Sequence, residues 1–424
     1  MSFNSQPVSR LGGRIRLPAS KSYSIRAFFV AACGGKSTIL HASDCDDAKV
    51  ARRLTSSLGA GVLGKYEITR VDALARSLPA VAFDVNESGT SLRFLLPLLA
   101  VFTNKALVKG KGTLIGRPNQ HLCTTLREQG LNIKGVGIKE SVPITYKGGK
   151  ITQPNIVIDG SLSSQFVSAL LITAPLLPHD VTIRVKGKMV SVDYITMTLQ
   201  ILAKAGIKIK VINQHTYQVK GGQTYKGLKN FYVPSDYGLA AFSLAAGVLL
   251  PSDIVLDGYF NDRFVQADGH ILKFLKQMGV RYKKTSAAIR IKGPQVLKGG
   301  SFDLTNCPDL VPIMAVLAMF AKGKTVLKGI AHARVKESDR IGDLSRELEK
   351  VGARFKIGSD SLTILPQEKY KTGILLDSHR DHRLAMAFSV LGAKIGCRIN
   401  DLECTHKSYP AFVKDMRQLG FRLK

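Results

Sequence analysis

A short pattern that recurs six times limits the folds that this chain can adopt. Each copy has an apolar residue, three further residues, a glycine and an alternating apolar segment, as in "LKQMGVRY", with a looser copy at the first position. The glycines are Gly59, Gly130, Gly206, Gly279, Gly352 and Gly420. They are spaced 71, 76, 73, 73 and 68 residues apart, and such regular spacing indicates an internal repeat. A unit of about 70 residues is longer than a typical solenoid repeat, so we expect two lobes of three units each.

Each copy predicts a helix that is followed by a strand. Before Gly279, four apolar residues at i, i+3, i+4 and i+7 share one helical face. These residues are Ile271, Phe274, Leu275 and Met278. The glycine then supplies the left-handed residue that ends a helix. After Gly206, the side chains of Ile207, Ile209 and Val211 alternate with lysines, which predicts a half-buried strand. The fold class is therefore α/β (α+β).

The length of the chain favours more than one domain. At 424 residues it exceeds the size of a single hydrophobic core. The segment "NFYVPSDYG" at residues 230–238 contains Pro, Asp and Gly, lies near mid-chain and is typical of a boundary. Ligands usually bind between domains, so we expect a site in the cleft between two lobes.

The charge of the chain points to anionic partners. It has 61 basic and 31 acidic residues, a formal net charge of +30, and such a field attracts nucleic acid, anionic membranes or small phosphorylated molecules. The lysines are spread along the chain, aromatic residues make up 7% and Trp is absent. This composition is poor for a surface on which nucleic-acid bases stack. A small-molecule site accounts for only a few of the cations, and the charge as a whole stays unexplained.

The sequence predicts a cytoplasmic protein without disulfides. We find no apolar run of about 18 residues that would span a membrane, and the first residues lack the apolar core of a secretory signal. The six cysteines include no CxxC pair, and no HExxH motif is present, so neither a disulfide framework nor a metal site is expected.

Five segments place hydroxyl-bearing or small residues at an expected helix start, with a cation there or one turn later. Free N–H groups and the helix dipole favour anions at such starts, and Lys or Arg adds charge-assisted hydrogen bonds. Any one of them is explained by ordinary helix capping, as Ser20 before "KSYSIR" would be. Five together favour a site for two or more anionic groups. The residues concerned are Ser22 with Arg26, Gly89 and Thr90 with Arg93, Ser163 with Ser164 and Gln165, Lys336 and Glu337 with Arg340, and His382 with Arg383.

These segments, in this order, resemble the EPSP synthase family, the 3-phosphoshikimate 1-carboxyvinyltransferases. The matching motifs are "LPASKSYSIRA", "ESGTSLR", "GRPNQHL", "SSQF", "VSVDY", "CPDL", "RVKESDR", "DHRLAMAF" and "CTHKSYP", which span residues 17–410. The resemblance implies two lobes, each of three βαβαββ units, with the active site in the cleft between them. We expect one lobe to comprise residues 20–234 and the other residues 1–19 with 235–424. It also implies a monomer that transfers the enolpyruvyl group of phosphoenolpyruvate to the 5-hydroxyl of shikimate 3-phosphate, with no metal or cofactor.

The resemblance also implies roles for individual residues. Shikimate 3-phosphate would contact Lys21, Ser22, Arg26, Ser163, Ser164, Gln165, Ser191, Tyr194, Asp309 and Lys336. Phosphoenolpyruvate would contact Lys21, Gly89, Arg117, Gln165, Arg340, Arg383 and Lys407. Asp309 is expected as the base, with Glu337 and Lys21 handling the other protons. Thr90, Arg93, His332 and His382 are expected nearby.

Three positions depart from the family pattern. Glu87 and His332 stand where asparagine occurs in many or some members, and Phe94 stands where many have proline. Gly89 is the ordinary residue of inhibitor-sensitive forms, so we expect sensitivity to glyphosate. A carboxylate near a phosphate site is unfavourable, so Glu87 is expected to pair with a cation or to turn away.

Two alternative functions remain open. The related UDP-N-acetylglucosamine enolpyruvyl transferase has a reactive cysteine on a loop ahead of the motif arginine. Here the loop "KGKGTLIGR" contains none, and Cys123 follows Arg117. A nucleic-acid-binding protein on the same scaffold would instead use the positive charge and show salt-dependent binding.

Overall fold

The computed structural model describes residues 2–73 and 78–424. The chain divides into two compact units, one of residues 20–233 and one of residues 1–19 with 234–424. The division after residue 233 lies one residue before the expected boundary. That these units are the two functional lobes stays a prediction.

The secondary structure alternates strands and helices along the chain. Before residue 20 the strands are β1 (Ser2–Gln6) and β2 (Leu11–Arg16). The strands of the 20–233 unit are β3 (Lys36–Leu40), β4 (Gly61–Gly64), β5 (Ile68–Asp72), β6 (Val81–Asp84), β7 (Ala106–Lys109), β8 (Ile133–Val136), β9 (Ser141–Tyr146), β10 (Asn155–Asp159), β11 (Val181–Lys186), β12 (Ile209–Asn213), β13 (Thr216–Val219) and β14 (Phe231–Tyr232). Its helices are α1 (Lys21–Ala32), α2 (Asp46–Ser57), α3 (Gly89–Phe102), α4 (Gln120–Glu128), α5 (Ser164–Thr173) and α6 (Val192–Lys204).

The segment from residue 234 to residue 424 continues the alternation. Its strands are β15 (Ser252–Asp257), β16 (Tyr282–Lys284), β17 (Ala288–Gly293), β18 (Leu297–Lys298), β19 (Ser301–Asp303), β20 (Ala321–Lys322), β21 (Thr325–Lys328), β22 (Arg354–Ile357), β23 (Ser361–Leu365), β24 (Ile374–Asp377), β25 (Cys397–Asn400) and β26 (Arg422–Leu423). Its helices are α7 (Tyr237–Leu249), α8 (His270–Gln277), α9 (Val311–Met319), α10 (Gly342–Lys350), α11 (His382–Ile395) and α12 (Phe412–Gln418).

Among the described residues, each of the two compact units contains three four-stranded sheets that are built in the same way. In the sheet β6-β7-β9-β8, β6 and β7 are parallel, and β9 pairs antiparallel with both β7 and β8. The order along the chain is β6, α3, β7, α4, β8, β9, which is a βαβαββ unit. The same pairing recurs in β10-β11-β13-β12, β14-β3-β5-β4, β2-β15-β17-β16, β19-β21-β23-β22 and β24-β25-β1-β26. Six copies of one unit, three in each half, confirm the predicted α/β repeat fold.

The six repeated glycines end the second helix of each unit. Every one of them lies two residues after the last helical residue and has a positive φ, between 83° and 104°. A left-handed residue at this position closes the helix and costs glycine no steric strain. The glycine pattern in the sequence therefore reports the repeat directly.

In each βαβαββ repeat, the first of the two helices is the more deeply buried. All residues of α7 and α9 are buried, and α1, α3, α5 and α11 are buried on most sides, as helices that are apolar all round must be. Within each of the two compact units these helices pack together. In one unit α1 and α5 pack against α3, and in the other α11 packs against α7 and α9. Their N-terminal ends carry most of the predicted site residues.

Two local predictions are wrong. Val211 was expected on the buried side of β12, but the residue is 51% exposed, because only Ile209 of this strand is even partly covered by other elements. Lys336, Glu337 and Arg340 were expected at a helix start, but α10 begins only at Gly342 and the preceding residues form bends and a turn. Of the helices in residues 2–73 and 78–424, none combines the length and apolarity that a membrane span requires.

Candidate active site

The start of α1 combines an ordinary cap with a buried cation. Ser20 caps the helix, because its side chain accepts a hydrogen bond from the backbone N–H of Tyr23. The next residue, Lys21, places Nζ 3.1 Å from Oδ2 of Asp47, and both side chains are largely buried. Capping therefore explains Ser20, whereas Lys21 is held in place by a carboxylate from α2.

Arg26 is a buried guanidinium with neutral partners. Only 1% of the residue is exposed. Its Nε donates to Oγ1 of Thr198 at 2.8 Å, Nη1 to the carbonyl of Ser22 at 3.0 Å and Nη2 to the carbonyl of Tyr194 at 3.0 Å. Burial lowers the pKa of Arg26 to about 10, and the group stays cationic at neutral pH. A guanidinium has five N–H donors, so one N–H on each terminal nitrogen is left for a ligand.

The starts of α3 and α5 meet through Gln165. Its Oε1 accepts a hydrogen bond of 2.6 Å from Nη1 of Arg93, and its Nε2 donates to Oγ1 of Thr90 at 3.0 Å. Arg93 also donates to Oδ1 of Asn119 at 3.3 Å. Because the oxygen of Gln165 is occupied by a cation, its amide N–H groups face the other way. The side chain is fixed as a donor, which suits an anionic ligand.

Gly89 and Arg117 lie in close contact. A Cβ on Gly89 would lie 3.0 Å from Nη1 of Arg117, so this glycine lets the guanidinium approach the first turn of α3. Glu87 accepts hydrogen bonds from both the backbone N–H and the hydroxyl of Thr113, at 3.2 and 2.8 Å. Its carboxylate is thus turned towards the loop after β7.

Three of the predicted site serines lie at the starts of α5 and α6. Ser163 caps α5 by accepting from the N–H of Gln165, and Ser164 is the first residue of that helix. Ser191 precedes α6 with a left-handed φ of 57°, which is uncommon for a residue other than glycine. Its Oγ is buried and has no hydrogen-bond partner among the described residues. Tyr194 lies in the first turn of α6.

The other unit holds an alternating network of carboxylates and guanidinium groups at the starts of α9 and α11. Asp309 accepts from Nη1 of Arg340 at 2.6 Å, and its second oxygen lies 2.8 Å from Nη2 of Arg383. Burial alone would raise the pKa of Asp309, but Arg383, Arg340 and Lys336 lower it well below its ordinary value. The carboxylate is therefore ionised at all ordinary pH values.

Arg340 contacts three carboxylates. Besides Asp309, it donates to Oε2 of Glu337 at 2.8 Å and to both oxygens of Asp381, at 2.7 and 3.2 Å. Burial would lower the pKa of Arg340, but Asp381, Asp309 and Glu337 raise it well above its ordinary value. Nζ of Lys407 lies 3.9 Å from Oε1 of Glu337. Glu337 thus lies between two cations that were expected to bind phosphoenolpyruvate.

His332 and His382 are both buried at this network. His382 is the first residue of α11, directly after the cap Asp381, and His332 lies in a short 3-10 helix that precedes Lys336. Both are 6% exposed or less.

Within each compact unit the structure brings predicted cations together, at or just before helix starts in the 20–233 unit and around Asp309 in the other. Comparison with known proteins assigns the chain. Residues 5–416 match the profile of the EPSP synthase family, 3-phosphoshikimate 1-carboxyvinyltransferase. The 3-phosphoshikimate 1-carboxyvinyltransferase of Methanococcus vannielii is 34% identical over 427 residues, which cover 98% of each chain. The chain belongs to the EPSP synthase family. It is an enzyme of the transferase class.

Other relatives agree with this assignment. The 3-phosphoshikimate 1-carboxyvinyltransferase of Salmonella heidelberg is 34% identical over 426 residues, covering 99% of each chain. Among solved structures, EPSP synthase of Acinetobacter baumannii superposes with a TM-score of 0.79 at 24% identity, over 100% of this chain and 99% of that chain. This structural similarity supports the assignment of the fold. The related UDP-sugar enzyme is not favoured by these matches.

The sequence did not predict the residues that hold the expected substrate-binding side chains in place. They are Asp47 beside Lys21, Thr198 beside Arg26, Asn119 beside Arg93, Asp381 beside Arg340, and Asp268 beside Arg383. Burial raises the pKa of Asp268 to about 7. Asp381 carries a local signal, since Asp before a helix start is a common cap. The others carry none, because their partners are distant in sequence.

A cavity of about 760 Å³ also borders Glu337. Its lining is rich in carboxylates and includes Asp343, Asp377, Asp401 and the cation Arg380. Because Glu337 is part of the network around Arg340, this cavity adjoins the expected acid–base group.

Proposed function

We propose that this chain transfers the enolpyruvyl group of phosphoenolpyruvate to the 5-hydroxyl of shikimate 3-phosphate, giving 5-enolpyruvylshikimate 3-phosphate and phosphate. Membership of the EPSP synthase family supports the reaction. The structural observation that carries the proposal is that, within each compact unit, buried cations and fixed hydrogen-bond donors lie close together, at helix starts or in the turns that precede helices, as two multiply anionic substrates require.

The reaction is an addition to phosphoenolpyruvate that is followed by an elimination of phosphate. The oxygen of the 5-hydroxyl forms a bond to C2 of phosphoenolpyruvate, the hydroxyl proton leaves and C3 gains a proton, which gives a tetrahedral ketal phosphate. The bond from C2 to the phosphate oxygen then breaks and C3 loses a proton, which restores the double bond. Atoms and charges balance without an external reductant or oxidant.

For shikimate 3-phosphate, we propose that Arg26 binds the carboxylate with its two remaining N–H groups, together with Ser22. The hydroxyl of Ser191, which is buried without a partner among the described residues, supports a role in binding the 3-phosphate. Ser163, Ser164 and Lys336 would complete that phosphate site. Tyr194 would flank the ring.

For phosphoenolpyruvate, we propose that the phosphate contacts Lys21, Gly89, Arg117, Gln165 and Lys407. The hydrogen bond from Arg93 supports the donor role of Gln165, because it fixes the direction of the amide. Arg340 and Arg383 would bind the carboxylate. We also propose that glyphosate inhibits the enzyme. The enzyme itself is proposed to act as a monomer in the cytoplasm.

The acid–base roles depend on the two arginines. With its pKa lowered by Arg383 and Arg340, Asp309 is a weak base, since an efficient base has a pKa near the working pH. A bound phosphoenolpyruvate carboxylate would take up part of both guanidinium charges. Asp309 would then be released to accept the 5-hydroxyl proton, with Glu337 and Lys21 serving the transfers at C3.

The proposal is tested by product analysis. Both substrates are incubated with the enzyme, and 5-enolpyruvylshikimate 3-phosphate is sought by mass spectrometry. The Asp309→Ala and Glu337→Ala variants serve as comparisons and are expected to lose about 10²- to 10⁴-fold in turnover, the usual contribution of a positioned acid or base. Near wild-type turnover in either variant would show that its acid–base assignment is wrong.

A further inference from the structure

Phe94 lies directly behind the guanidinium of Arg26. Phe94 is fully buried in α3, with 0% exposure. Its ring packs edge-on against Phe29, with centroids 5.6 Å apart and planes at 90°. Cζ of Arg26 lies over the ring, 5.3 Å from its centroid, and 5.8 Å from the centroid of Tyr194. Two aromatic rings thus contact this guanidinium, in addition to its three hydrogen bonds.

We propose that Phe94 is a positioning residue for Arg26 and thereby sets the affinity for the carboxylate of shikimate 3-phosphate. The inference rests on the proposed function, in which Arg26 binds that carboxylate. It concerns a position at which this chain carries phenylalanine where the family resemblance leads one to expect proline.

The charge balance around Arg26 favours this role for Phe94. Its three acceptors, the hydroxyl of Thr198 and two backbone carbonyls, are all neutral. Among the described residues no carboxylate lies within ion-pair distance of it. A buried cation without a counter-ion is costly, and the negative face of an aromatic ring offsets part of that cost. Phe94 therefore stabilises a charge that is kept unneutralised until an anionic ligand arrives.

The geometry of the guanidinium also favours this role. Thr198 fixes the Nε side of the guanidinium, and the carbonyls of Ser22 and Tyr194 each take one terminal N–H. A ring against the guanidinium plane limits the remaining tilt, so the last two N–H groups keep a fixed direction. Bidentate recognition of a carboxylate requires such a fork. Because only 1% of Arg26 is exposed, a small tilt would remove its access to a ligand.

Phe94 and its neighbour Arg93 support different ligand-binding side chains. On the same helix, Arg93 fixes the amide of Gln165, which is proposed to bind phosphoenolpyruvate. Phe94 contacts Arg26, which is proposed to bind the other substrate. A change confined to the ring of Phe94 should therefore alter one Michaelis constant and leave the other unchanged.

The experiment compares the Phe94→Leu, Phe94→Tyr and Phe83→Leu variants with the wild type. Leucine removes the ring face, whereas tyrosine keeps it. Phe83 is a matched control, since it is buried in β6 of the same unit and forms no cation–ring pair among the described residues. For each variant, kcat and both KM values are measured, together with the Kd for shikimate 3-phosphate in the absence of phosphoenolpyruvate.

For Phe94→Leu we expect KM and Kd for shikimate 3-phosphate to rise about threefold to tenfold, the range that a cation–ring contact supports. KM for phosphoenolpyruvate should stay within about twofold, and Phe94→Tyr and Phe83→Leu should keep the wild-type constants. An analogue that lacks the carboxylate should bind wild type and Phe94→Leu equally. If Phe94→Leu does not fold, Phe94→Met replaces it, since methionine also removes the ring face but keeps an apolar side chain of similar volume, and a wild-type Kd in that variant overturns the proposal.

Other results would also overturn it. They are an unchanged KM for shikimate 3-phosphate in folded Phe94→Leu, an equal rise in both KM values, or the same rise in Phe83→Leu. Failure of the wild type itself to bind shikimate 3-phosphate would instead refute the proposed function, and the two failures are therefore distinguishable.

Discussion

The substitution Asp309→Asn separates the proposed base from the binding of its substrate. In the wild type, Asp309 lies between two guanidinium groups, 2.6 Å from Nη1 of Arg340 and 2.8 Å from Nη2 of Arg383. Asparagine has nearly the same shape but no charge. The change therefore removes both ion pairs and the proton acceptor, while it leaves the two cations in place.

The magnitude follows from these contacts. Breaking a fully buried ion pair by removing one partner costs about 3–5 kcal/mol, and a hydrogen bond to a charged group about 1.5–3 kcal/mol. Arg340 keeps Asp381 and Glu337 as partners, and asparagine retains one acceptor. We therefore expect the free energy of unfolding to fall by about 2–4 kcal/mol. Turnover should fall about 10²- to 10⁴-fold.

Asp309→Asn should lower the stability of the protein without weakening its affinity for phosphoenolpyruvate. Because Asp309 competes with the carboxylate of phosphoenolpyruvate for Arg340 and Arg383, Asp309→Asn should bind this ligand at least as tightly as the wild type. Asp381→Asn is the matched control, since it also removes a charge from Arg340 but keeps an amide that can cap α11. It should weaken binding, because Arg340 loses the contact that orients its Nε.

The assays are chemical denaturation, calorimetric titration with phosphoenolpyruvate in the presence of shikimate 3-phosphate, and steady-state kinetics. Near wild-type turnover in Asp309→Asn would refute the assignment of the base. A large loss of phosphoenolpyruvate affinity in this variant, equal to that in Asp381→Asn, would refute the competition between Asp309 and the substrate.

Three further predictions concern single positions. Because burial raises the pKa of Asp268 to about 7, the folded chain holds a proton between pH 4 and 7 that the unfolded chain has released, so this group's contribution falls as pH rises through that window. The stability of Asp268→Asn relative to wild type should therefore increase between pH 4 and pH 8; a difference in denaturation midpoint that does not change over this range would contradict this. Gly89→Ala brings a Cβ to 3.0 Å from Nη1 of Arg117, so displacement of this cation should raise KM for phosphoenolpyruvate about tenfold; an unchanged KM would show that Arg117 can move freely. Gly352→Ala meets no atom within 4 Å but has a φ of +91°, so denaturation should show a loss of about 1 kcal/mol from strain alone, and an unchanged midpoint would refute that reading.

The repeat and the helix starts could be predicted from the sequence because both depend on local chemistry. A glycine two residues after a helix is required by backbone conformation wherever a left-handed residue closes it. Ser20 likewise caps α1 through its immediate neighbours. Whether other elements cover β12 depends on the tertiary fold, and for that reason the exposure of Val211 was not predicted.

The partners of the site residues could not be predicted, since folding brings them from distant segments. Thr198 lies 172 residues from Arg26, and nothing in either segment indicates the other. The composition of the segment that contains Lys336 predicts a helix start. In the structure, Arg340 instead contacts Glu337, Asp309 and Asp381, and these contacts hold the residues in an irregular turn.

The most direct test of the central claim is phosphate release by the purified full-length chain. Shikimate 3-phosphate and phosphoenolpyruvate are supplied together and separately, at low and high salt. The proposed function predicts phosphate only when both substrates are present, with Asp309→Asn as the inactive control. Phosphate release from one substrate alone, or none from the pair together with salt-dependent binding of nucleic acid, would contradict it.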